Sequence, residues 1–311
     1  MKKATIIGAG PAGLIVAKAI LDHTDIDTIK IWDPHFGTQA RNHPFFIHAD
    51  VGSRLGIPLR KVKVQEVVLR CSNPGLSANV YSMKTTGALT RNRVWDIDGA
   101  SQENEWYLSP DLIRDLELKI SNDPRVTFLK AQFDIHAYAK CLKNDEWVVS
   151  TIPLSSFLSI VPSTMPTSFG GSGATFSSMM LQAWKTRSDK AQNVCQVIYD
   201  CRQGSSWSRI INVEGNILVE GALKSQQIDA LELPWPYREI FEAKDPKEFA
   251  TSSRKIIPAN VEAVNAFVTY MTTEHRTLFI GRHALWRYKR VDHLPDDALA
   301  ITKIIRLSGK S

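Results

Sequence analysis

The chain of 311 residues is 43% hydrophobic and 23% charged, a composition typical of a globular protein that excludes a fibrous, disordered or multi-span membrane protein. Lysine and arginine number 38 against 32 for aspartate and glutamate, so the net charge is +6. Because this surplus is not gathered into a block of like charges, it is compatible with a polyanionic partner but does not require one.

The first predicted element is a glycine-rich junction between a strand and a helix. Residues 4–7 are apolar, as in a buried parallel strand, and residues 14–21 continue with helical periodicity. Between them, Gly8, Gly10 and Gly13 match the pattern GxGxxG. The first glycine of this motif permits a tight turn, the second lets a pyrophosphate approach the backbone, and the third lets the helix pack closely.

The same apolar start resembles a secretory signal or a membrane span, but the glycines interrupt it, and we interpret it as folded core.

A carboxylate stands where a dinucleotide-binding fold requires one. Residues 28–32 form a second predicted strand that ends at Asp33, twenty residues after Gly13. An acid at that position accepts hydrogen bonds from the ribose hydroxyls of an adenosine. Residues 34–58 then turn irregular, polar and aromatic, which favours a flavin over a nicotinamide cofactor. Arg41 in this segment is predicted to neutralise a phosphate or ribose edge, with a solvated loop arginine as the alternative.

The middle of the chain is predicted to leave the first sheet and return to it. Residues 54–106 are predicted to be mixed, partly β material, including 62–69. This material is too irregular for simple sheet continuation and is interpreted as a substrate-domain insertion. Asp111 begins a helix. Residues 126–129 and 147–153 are predicted strands.

The next segments indicate a loop followed by an antiparallel sheet. Residues 162–178 are rich in Gly, Ser, Thr and Pro and are predicted to be a lid over a pocket or a plain connector. Residues 194–199, 207–213 and 216–220 alternate as antiparallel strands do. They complete the predicted substrate domain.

The far end of the chain repeats the strand-to-loop pattern of its start. Residues 277–282 form an apolar strand that breaks on Gly281, and Pro295 lies in the capped start of a last helix over 298–307. Chain start and chain end thus supply the two elements that one cofactor-binding domain needs.

The four cysteines, Cys71, Cys141, Cys195 and Cys201, show no CxxC spacing. This argues against a zinc site and against a redox-active dithiol, and we expect no metal. The corresponding expectation is a reduced, soluble, cytoplasmic protein.

These stretches carry a family resemblance. The chain resembles the flavoprotein superfamily that contains FAD-dependent amine oxidases, protoporphyrinogen oxidase and UDP-galactopyranose mutase. The resembling stretches are the glycine loop through Asp33, residues 149–154, and residues 279–282 with Trp286, Arg287, Tyr288 and Asp292 after them. The resemblance implies that FAD is the cofactor, that the glycine loop and Asp33 hold its adenosine half, and that Gly281 and Arg282 lie against its flavin half. The full set of candidate cofactor-binding residues is Gly8, Gly10, Pro11, Ala12, Gly13, Asp33, Pro34, Arg41, Thr151, Pro153, Gly281 and Arg282.

The predicted fold class is α/β, with a Rossmann-like FAD-binding domain built from both chain ends and an inserted mixed α+β substrate domain. The predicted FAD-binding segments are 1–50, 108–160 and 270–311, and the predicted substrate-domain segments are 51–107 and 161–269.

The leading functional hypothesis is an FAD-dependent oxidoreductase that oxidises or cleaves a C–N bond of an amine-bearing or nucleotide-like substrate. A narrower form is a flavin-dependent lyase acting on amino-acid-modified thymidine in phage DNA. The alternatives are a non-redox flavin-dependent mutase and a non-catalytic binding protein that keeps the nucleotide fold. The candidate catalytic residues are His43, His48, Arg209, His283, Trp286 and Tyr288.

Nucleic-acid contact is a subsidiary hypothesis, and no membrane contact is expected. Trp207 or Trp235 would stack on a base. The basic residues predicted to meet phosphates are Arg54, Arg60, Lys61, Lys63, Arg91, Arg93, Lys185, Arg187, Arg287, Lys289 and Arg290.

Overall fold

The chain forms two compact units. The first comprises Met1–Arg60, Tyr107–Phe176 and Pro258–Ser311, and the second comprises Lys61–Trp106 and Ser177–Ile257. The computed structural model describes residues 2–37, 45–86, 101–109, 111–161, 178–222, 227–243, 250–256, 261–287 and 289–308.

The predicted segments overlap these units closely. The three predicted FAD-binding segments fall in the first unit. The segments 51–60, 107, 161–176 and 258–269, assigned by sequence to the substrate domain, fall within the bounds of the first unit instead. Which unit binds cofactor and which binds substrate stays a prediction.

The first unit is built on a five-stranded parallel sheet, in the order β13-β7-β1-β2-β6. Its strands are β1 (Lys3–Ile7), β2 (Thr28–Trp32), β6 (Val126–Leu129), β7 (Trp147–Ser150) and β13 (Thr277–Phe279). The last strand of the chain therefore lies in the same sheet as the first, with only β7 between them.

Helices cover both faces of this sheet. On one face, α1 (Pro11–His23), α4 (Leu112–Ser121) and α9 (Leu294–Ser308) share an aliphatic core with alternate strand residues such as Ile6 and Val149. α4 begins where the sequence predicts, because the Asp111 side chain accepts a hydrogen bond from the Arg114 N–H at 3.3 Å. α9 begins four residues before the predicted 298, since Pro295 fits within a first helical turn.

The opposite face is covered by aromatic packing. The helices there are α5 (Ile135–Lys143), α6 (Leu154–Leu158) and α8 (Val261–His275). Tyr138 of α5 packs edge-on against Phe157 of α6, which in turn packs edge-on against Phe279 of β13. The same unit also contains α2 (Gly52–Leu55) and the short strand β3 (Phe45–Ile47).

The second unit is built on a mixed sheet in the order β12-β8-β11-β10-β9-β4-β5. Its strands are β4 (Arg60–Leu69), β5 (Ser101–Ser109), β8 (Ser178–Arg187), β9 (Cys195–Asp200), β10 (Trp207–Val213), β11 (Asn216–Gly221) and β12 (Ala250–Ile256). β9, β10 and β11 pair antiparallel as predicted. The last three residues of β5 belong to the first unit, where they pair with β3.

Residues 62–69, predicted as partly β material that is not a simple continuation of the first sheet, form a strand of the second unit. They lie in β4, which pairs parallel with β9 from Gln65 to Leu69. β4 carries charged residues such as Lys61 and Lys63, which face Glu105 and Glu103 across the strand pair. Lysine is uncommon in strands. Here the lysines of β4 pair with glutamates of the neighbouring strand.

Helices cover both faces of this second sheet. α7 (Tyr237–Glu242) packs on one face, where Tyr237 and Phe241 join a core with Trp184 and Ile210. α3 (Ser77–Thr86) packs on the other face through an edge-on contact of Tyr81 with Tyr199. Together the two units confirm the predicted α/β class, with a parallel sheet built from both chain ends and an inserted mixed domain.

Across the described ranges, no helix is both long and apolar enough to cross a bilayer.

The buried phenol of Tyr138 predicts a loss of stability in alkali. Burial raises its pKa to about 12, although a hydrogen bond to Thr277 opposes the shift. A raised folded pKa gives stability that is complete below about pH 10, the ordinary tyrosine value, and is lost as pH rises toward 12. We expect Tyr138→Phe to abolish about 2 kcal/mol of the loss between these pH values, measured by urea unfolding. Tyr237→Phe is the matched comparison, because burial also raises the pKa of Tyr237 to about 12. An unchanged alkaline slope in Tyr138→Phe would contradict this assignment.

Candidate functional site

Four turns meet at one edge of the parallel sheet. Gly8 follows β1, Asp33 follows β2, Thr151 follows β7, and Ile280 with Gly281 follows β13. Because all strands run in the same direction, their carboxyl ends lie together. This edge holds most of the residues that the sequence predicts for cofactor binding.

The glycine loop has the backbone that its motif predicts. Gly8 adopts a φ of +98°, a conformation that favours glycine, and its N–H donates to the Trp32 carbonyl oxygen at 2.8 Å. Gly10 is the N-cap of α1, and Pro11 occupies the first helical position, where its missing N–H costs nothing. The remaining first-turn N–H groups of α1 point toward the loop side, as an anion site at a helix start requires.

Gly10 and Gly13 fill different steric roles. A Cβ at Gly13 would overlap the Gly8 carbonyl oxygen and lie 3.0 Å from its carbonyl carbon, so the close approach of helix and strand requires glycine. A Cβ at Gly10 would meet no heavy atom of the described residues within 4 Å. The space beside Gly10 is therefore open for a ligand to approach the backbone.

Asp33 clamps the glycine loop. Its Oδ2 accepts a hydrogen bond from the Ala9 N–H at 2.7 Å, and its Oδ1 accepts one from the His35 N–H at 2.8 Å. The residue is 7% exposed. The Asp33 carboxylate therefore fixes the turn after β2 against the turn after β1. Pro34 follows Asp33 on the surface.

Thr151 joins β7 to the same loop. Its Oγ1 donates to the Ile7 carbonyl oxygen at 2.8 Å, and its backbone N–H donates to the same oxygen at 3.0 Å. The predicted strand over 147–153 ends at Ser150, and Pro153 caps α6. The ladder nevertheless continues for one hydrogen bond through Thr151.

Gly281 brings the end of the chain against its start. It has a φ of +94°, and a Cβ there would lie 3.0 Å from the Cβ of Ala12 in α1. The predicted strand over 277–282 ends at Phe279, because this turn redirects the backbone. Leu285 donates its N–H to the Gly281 carbonyl oxygen at 3.1 Å and closes the turn.

The turn after Gly281 contains two of the predicted catalytic residues. The His283 carbonyl oxygen accepts the Leu154 N–H at 3.0 Å, which ties the turn to α6. Trp286 is 3% exposed and has a φ of +47°, a strained backbone for a bulky side chain of the kind that clusters at functional sites. Arg282 donates from Nε to the Lys289 carbonyl oxygen at 3.3 Å.

A charged cluster precedes and begins α9. Arg290 pairs with Asp292 at 2.9 Å, and Lys289 pairs with Asp297 at 2.9 Å. Three buried atoms of this cluster have no hydrogen-bond partner among the described residues, namely Asp292 Oδ1, Asp297 Oδ2 and Arg290 Nε. Buried polar groups are rarely left unpaired, so these atoms fit a site that receives a polar ligand. The high density of charged residues in 289–297 is the sequence signal that could have indicated this cluster.

The other catalytic candidates belong to other elements of the chain or lie outside the described residues. His48 is exposed after β3 in the first unit. Arg209 belongs to β10 of the second unit, where it pairs with Glu220. His43 and Tyr288, and the cofactor candidate Arg41, lie outside the described residues.

The sequence analysis missed Glu220. It is 1% exposed within β11, whose other residues from Ile217 to Gly221 are apolar or glycine. An acid in an otherwise apolar buried strand is the signal that could have revealed it, because such a charge requires a buried partner.

Several residues predicted to meet DNA are otherwise engaged. Trp207 is fully buried, so the prediction that it stacks on a base is wrong; Trp235 is 76% exposed. Arg91 and Arg93 lie outside the described residues. The predicted phosphate contacts that instead pair with carboxylates are Arg54, Lys61, Lys63, Lys289 and Arg290.

In the part of the chain that the structure describes, no group of three or more His, Cys, Asp or Glu side chains is arranged to hold a metal ion.

The chain shares its fold with solved structures of several enzymes. The chain is similar to a reduced UDP-galactopyranose mutase, with a TM-score of 0.63 and 14% identity over 100% of this chain and 96% of the mutase. It is similar to a protein from Exiguobacterium sp. 255-15 assigned as a protoporphyrinogen oxidase, with a TM-score of 0.53 and 10% identity over 99% of both chains.

A third similar structure is p-nitrophenol 4-monooxygenase from Pseudomonas putida, with a TM-score of 0.51 and 14% identity over 97% of this chain and 81% of that one. At identities this low, the structural similarity shows a shared fold alone. No protein-family model matches the chain, and no curated protein matches its sequence.

Alanine substitutions at Gly13 and Gly10 are expected to differ strongly in their effect on stability. Gly13→Ala should lower the free energy of unfolding by about 3 kcal/mol, because its Cβ overlaps backbone that cannot move without separating β1 from α1. Gly10→Ala should change it by no more than about 0.5 kcal/mol, because its Cβ enters open space. Urea unfolding of both variants measures the difference. Equal stabilities would show that the helix start does not approach Gly8 as described.

Proposed function

We propose that the protein is an FAD-dependent oxidoreductase that oxidises or cleaves a C–N bond of an amine-bearing substrate. The observation that supports FAD as the cofactor is the glycine loop, which Asp33 holds and which leaves open space beside Gly10. Gly281 packs against Ala12 at the same sheet edge. Both halves of a long dinucleotide would then meet residues of the same sheet edge.

The chain's own residues fit that cofactor. The Gly10 backbone and the α1 N-terminus would hold the pyrophosphate, and Asp33 would accept the ribose hydroxyls. The unpaired atoms of Asp292, Asp297 and Arg290 would receive the polar groups of the flavin half. The first-turn N–H groups of α9 carry partial positive charge, which favours a negatively charged group beside them.

The substrate class follows from the chemistry. Bound FAD supplies the redox step by accepting a hydride or two electrons from a substrate carbon. An amine that arrives with a neutral nitrogen needs no protein base for that step. Trp286 and His283 are the catalytic candidates that lie in the turn directly after Gly281.

The narrower proposal is that the amine is carried by an amino-acid-modified thymidine in phage DNA. The net charge of +6 supports it, and the exposed indole of Trp235 offers a surface for a base. Binding of modified DNA that falls steeply with added salt would support this form, since phosphate contacts release counterions. Salt-insensitive binding would exclude it.

A flavin-dependent mutase is the second candidate. The mutase structure has the highest TM-score among those described above, and this chain covers 96% of it. Turnover without net electron transfer and dependence on prior flavin reduction would separate the mutase from the oxidoreductase. Failure to bind FAD at all would instead favour a non-catalytic binding protein.

Gly10→Val tests the cofactor site directly. Its branched side chain fills the open space at the loop, so we expect at least about a tenfold loss of FAD affinity with little change in stability. The measurement is flavin absorbance per protein after loading and desalting. Gly75→Val, at a surface glycine whose Cβ would contact only the Asn73 side chain at 3.5 Å, is the control. Full flavin content in Gly10→Val would contradict the proposed pyrophosphate position.

The redox assignment is tested by anaerobic mixing of the FAD-loaded protein with a panel of primary and secondary amines, amino acids and amino-acid-modified thymidine. We expect at least one amine to bleach the flavin absorbance, and the rate to rise with pH as the amine loses its proton. Matched alcohols and carboxylic acids serve as controls and should leave the absorbance unchanged. Bleaching by an alcohol but by no amine would contradict the amine substrate class.

A further inference from the structure

The second unit contains a desolvated ion pair on one face of its sheet. Arg209 of β10 and Glu220 of β11 stand opposite each other in the strand register. Arg209 donates from Nε to Glu220 Oε2 at 2.9 Å and from Nη2 to Oε1 at 2.8 Å. The Arg209 side chain is 18% exposed and that of Glu220 is 2% exposed. This two-point contact fixes the plane of the guanidinium group.

The pair leaves one edge of the guanidinium group available. Arginine has five N–H donors, and Glu220 takes two of them. Nη1 of Arg209 has no acceptor among the residues that the structure describes, and it is not among the fully enclosed atoms. A rigid donor edge therefore reaches the surface of this sheet face.

The surroundings of that edge are aromatic and apolar. Tyr199 is the register partner of Arg209 on β9, and Tyr81 of α3 packs edge-on against it with ring centroids 5.5 Å apart. Ile211 and Leu218, which pair with each other one row along the same face, are half-buried. A donor with such neighbours is typical of a small-molecule site, in which a few polar groups orient an otherwise apolar ligand.

Glu220 influences which kind of ligand oxygen binds best to this N–H donor. Burial alone would lower the pKa of Arg209, but the Glu220 carboxylate, together with Tyr81 and Tyr199, raises that pKa above its ordinary value. Arg209 is therefore charged, and the pair as a whole is neutral. The repulsion from Glu220 cancels much of the attraction that Arg209 exerts on an anion at Nη1. The anion also loses more hydration than a neutral oxygen does, so the neutral oxygen binds better.

We propose that the Arg209–Glu220 pair binds a neutral carbonyl or amide oxygen of the substrate, and that Glu220 is a positioning residue that disfavours carboxylates and phosphates. This deepens the proposed function by assigning a recognition group to the substrate. The carbonyl oxygens of a modified thymine meet this requirement, and its phosphates do not. The site's chemistry is independent of whether the protein oxidises its substrate.

Benzamide and benzoate test the proposal, because they share a shape and differ in charge. Their dissociation constants are measured by ligand-observed NMR on the full chain, so the result does not depend on flavin reduction. We expect benzamide to bind at least about tenfold more tightly than benzoate. Preference for benzoate, or no benzamide binding up to its solubility limit, would overturn the proposal.

Variants separate charge from geometry. Glu220→Gln keeps the side-chain length but removes the carboxylate, so benzoate should gain about tenfold and benzamide should change little. Arg209→Lys keeps the ion pair but lacks the planar donor edge, so benzamide affinity should fall about tenfold. An unchanged affinity ratio in Glu220→Gln, or unchanged benzamide binding in Arg209→Lys, would overturn the proposal.

A control comes from a second pair in the same unit. Arg202 donates from Nε and Nη2 to the two oxygens of Asp200, each at 2.9 Å. Arg202→Lys should leave the binding of both probes unchanged, and an equal loss of benzamide binding there would contradict assignment to Arg209. Circular dichroism verifies folding. If Glu220→Gln does not fold, Arg209→Lys and its Arg202 control decide the outcome.

Discussion

The pairing of β7 with both β1 and β13 is the constraint on which the candidate cofactor site depends. β7 comes from the middle of the chain, and its two edges bind the first and last strands in parallel register. Parallel strands place their carboxyl ends together, so the turns at Gly8, Thr151 and Gly281 share one sheet edge without any further device. The hydrogen bonds from Thr151 to Ile7 and from Ile280 to Ser150 extend this pairing to the turns themselves.

The loop is held by polar contacts as well as by strand pairing. Asp33 accepts the Ala9 N–H, and Gly13 removes the only side chain that would separate α1 from Gly8. Each of these residues therefore acts twice, once in fixing the loop and once in the site that we propose. An acid that served only the ribose would not need to be bound to the loop backbone.

The first strand, the glycine loop and Asp33 were predictable because their signals are local. A short apolar run, three glycines at fixed spacing and an acid after the next strand lie within 33 residues. β2, β6 and β10 were predicted with the bounds that the structure gives, since each has clear alternation or apolar content between turn residues. The placement of both chain ends in one domain was predicted from their similar strand-to-loop patterns, whereas the close approach of Gly281 to Ala12 is seen only in the structure.

Other features depend on contacts between distant residues and were not predictable. β4 carries charges that become acceptable in a strand only because Glu103 and Glu105 arrive from β5 to pair with them. The partnership of Arg209 with Glu220 depends on the register of β10 against β11, which a bulge between Trp207 and Arg209 shifts. Trp207 is buried for a similar reason, since it joins the core under α7. Composition describes such residues without indicating which face of a sheet they occupy.

Hydrogen–deuterium exchange with and without FAD is the measurement that tests most directly whether both ends of the chain hold one cofactor. We expect FAD to slow exchange at two separate segments, the amides of residues 9, 10 and 12–14 and those of residues 281–285, with the same dependence on FAD concentration. Protection of only one segment, or of neither, would contradict it.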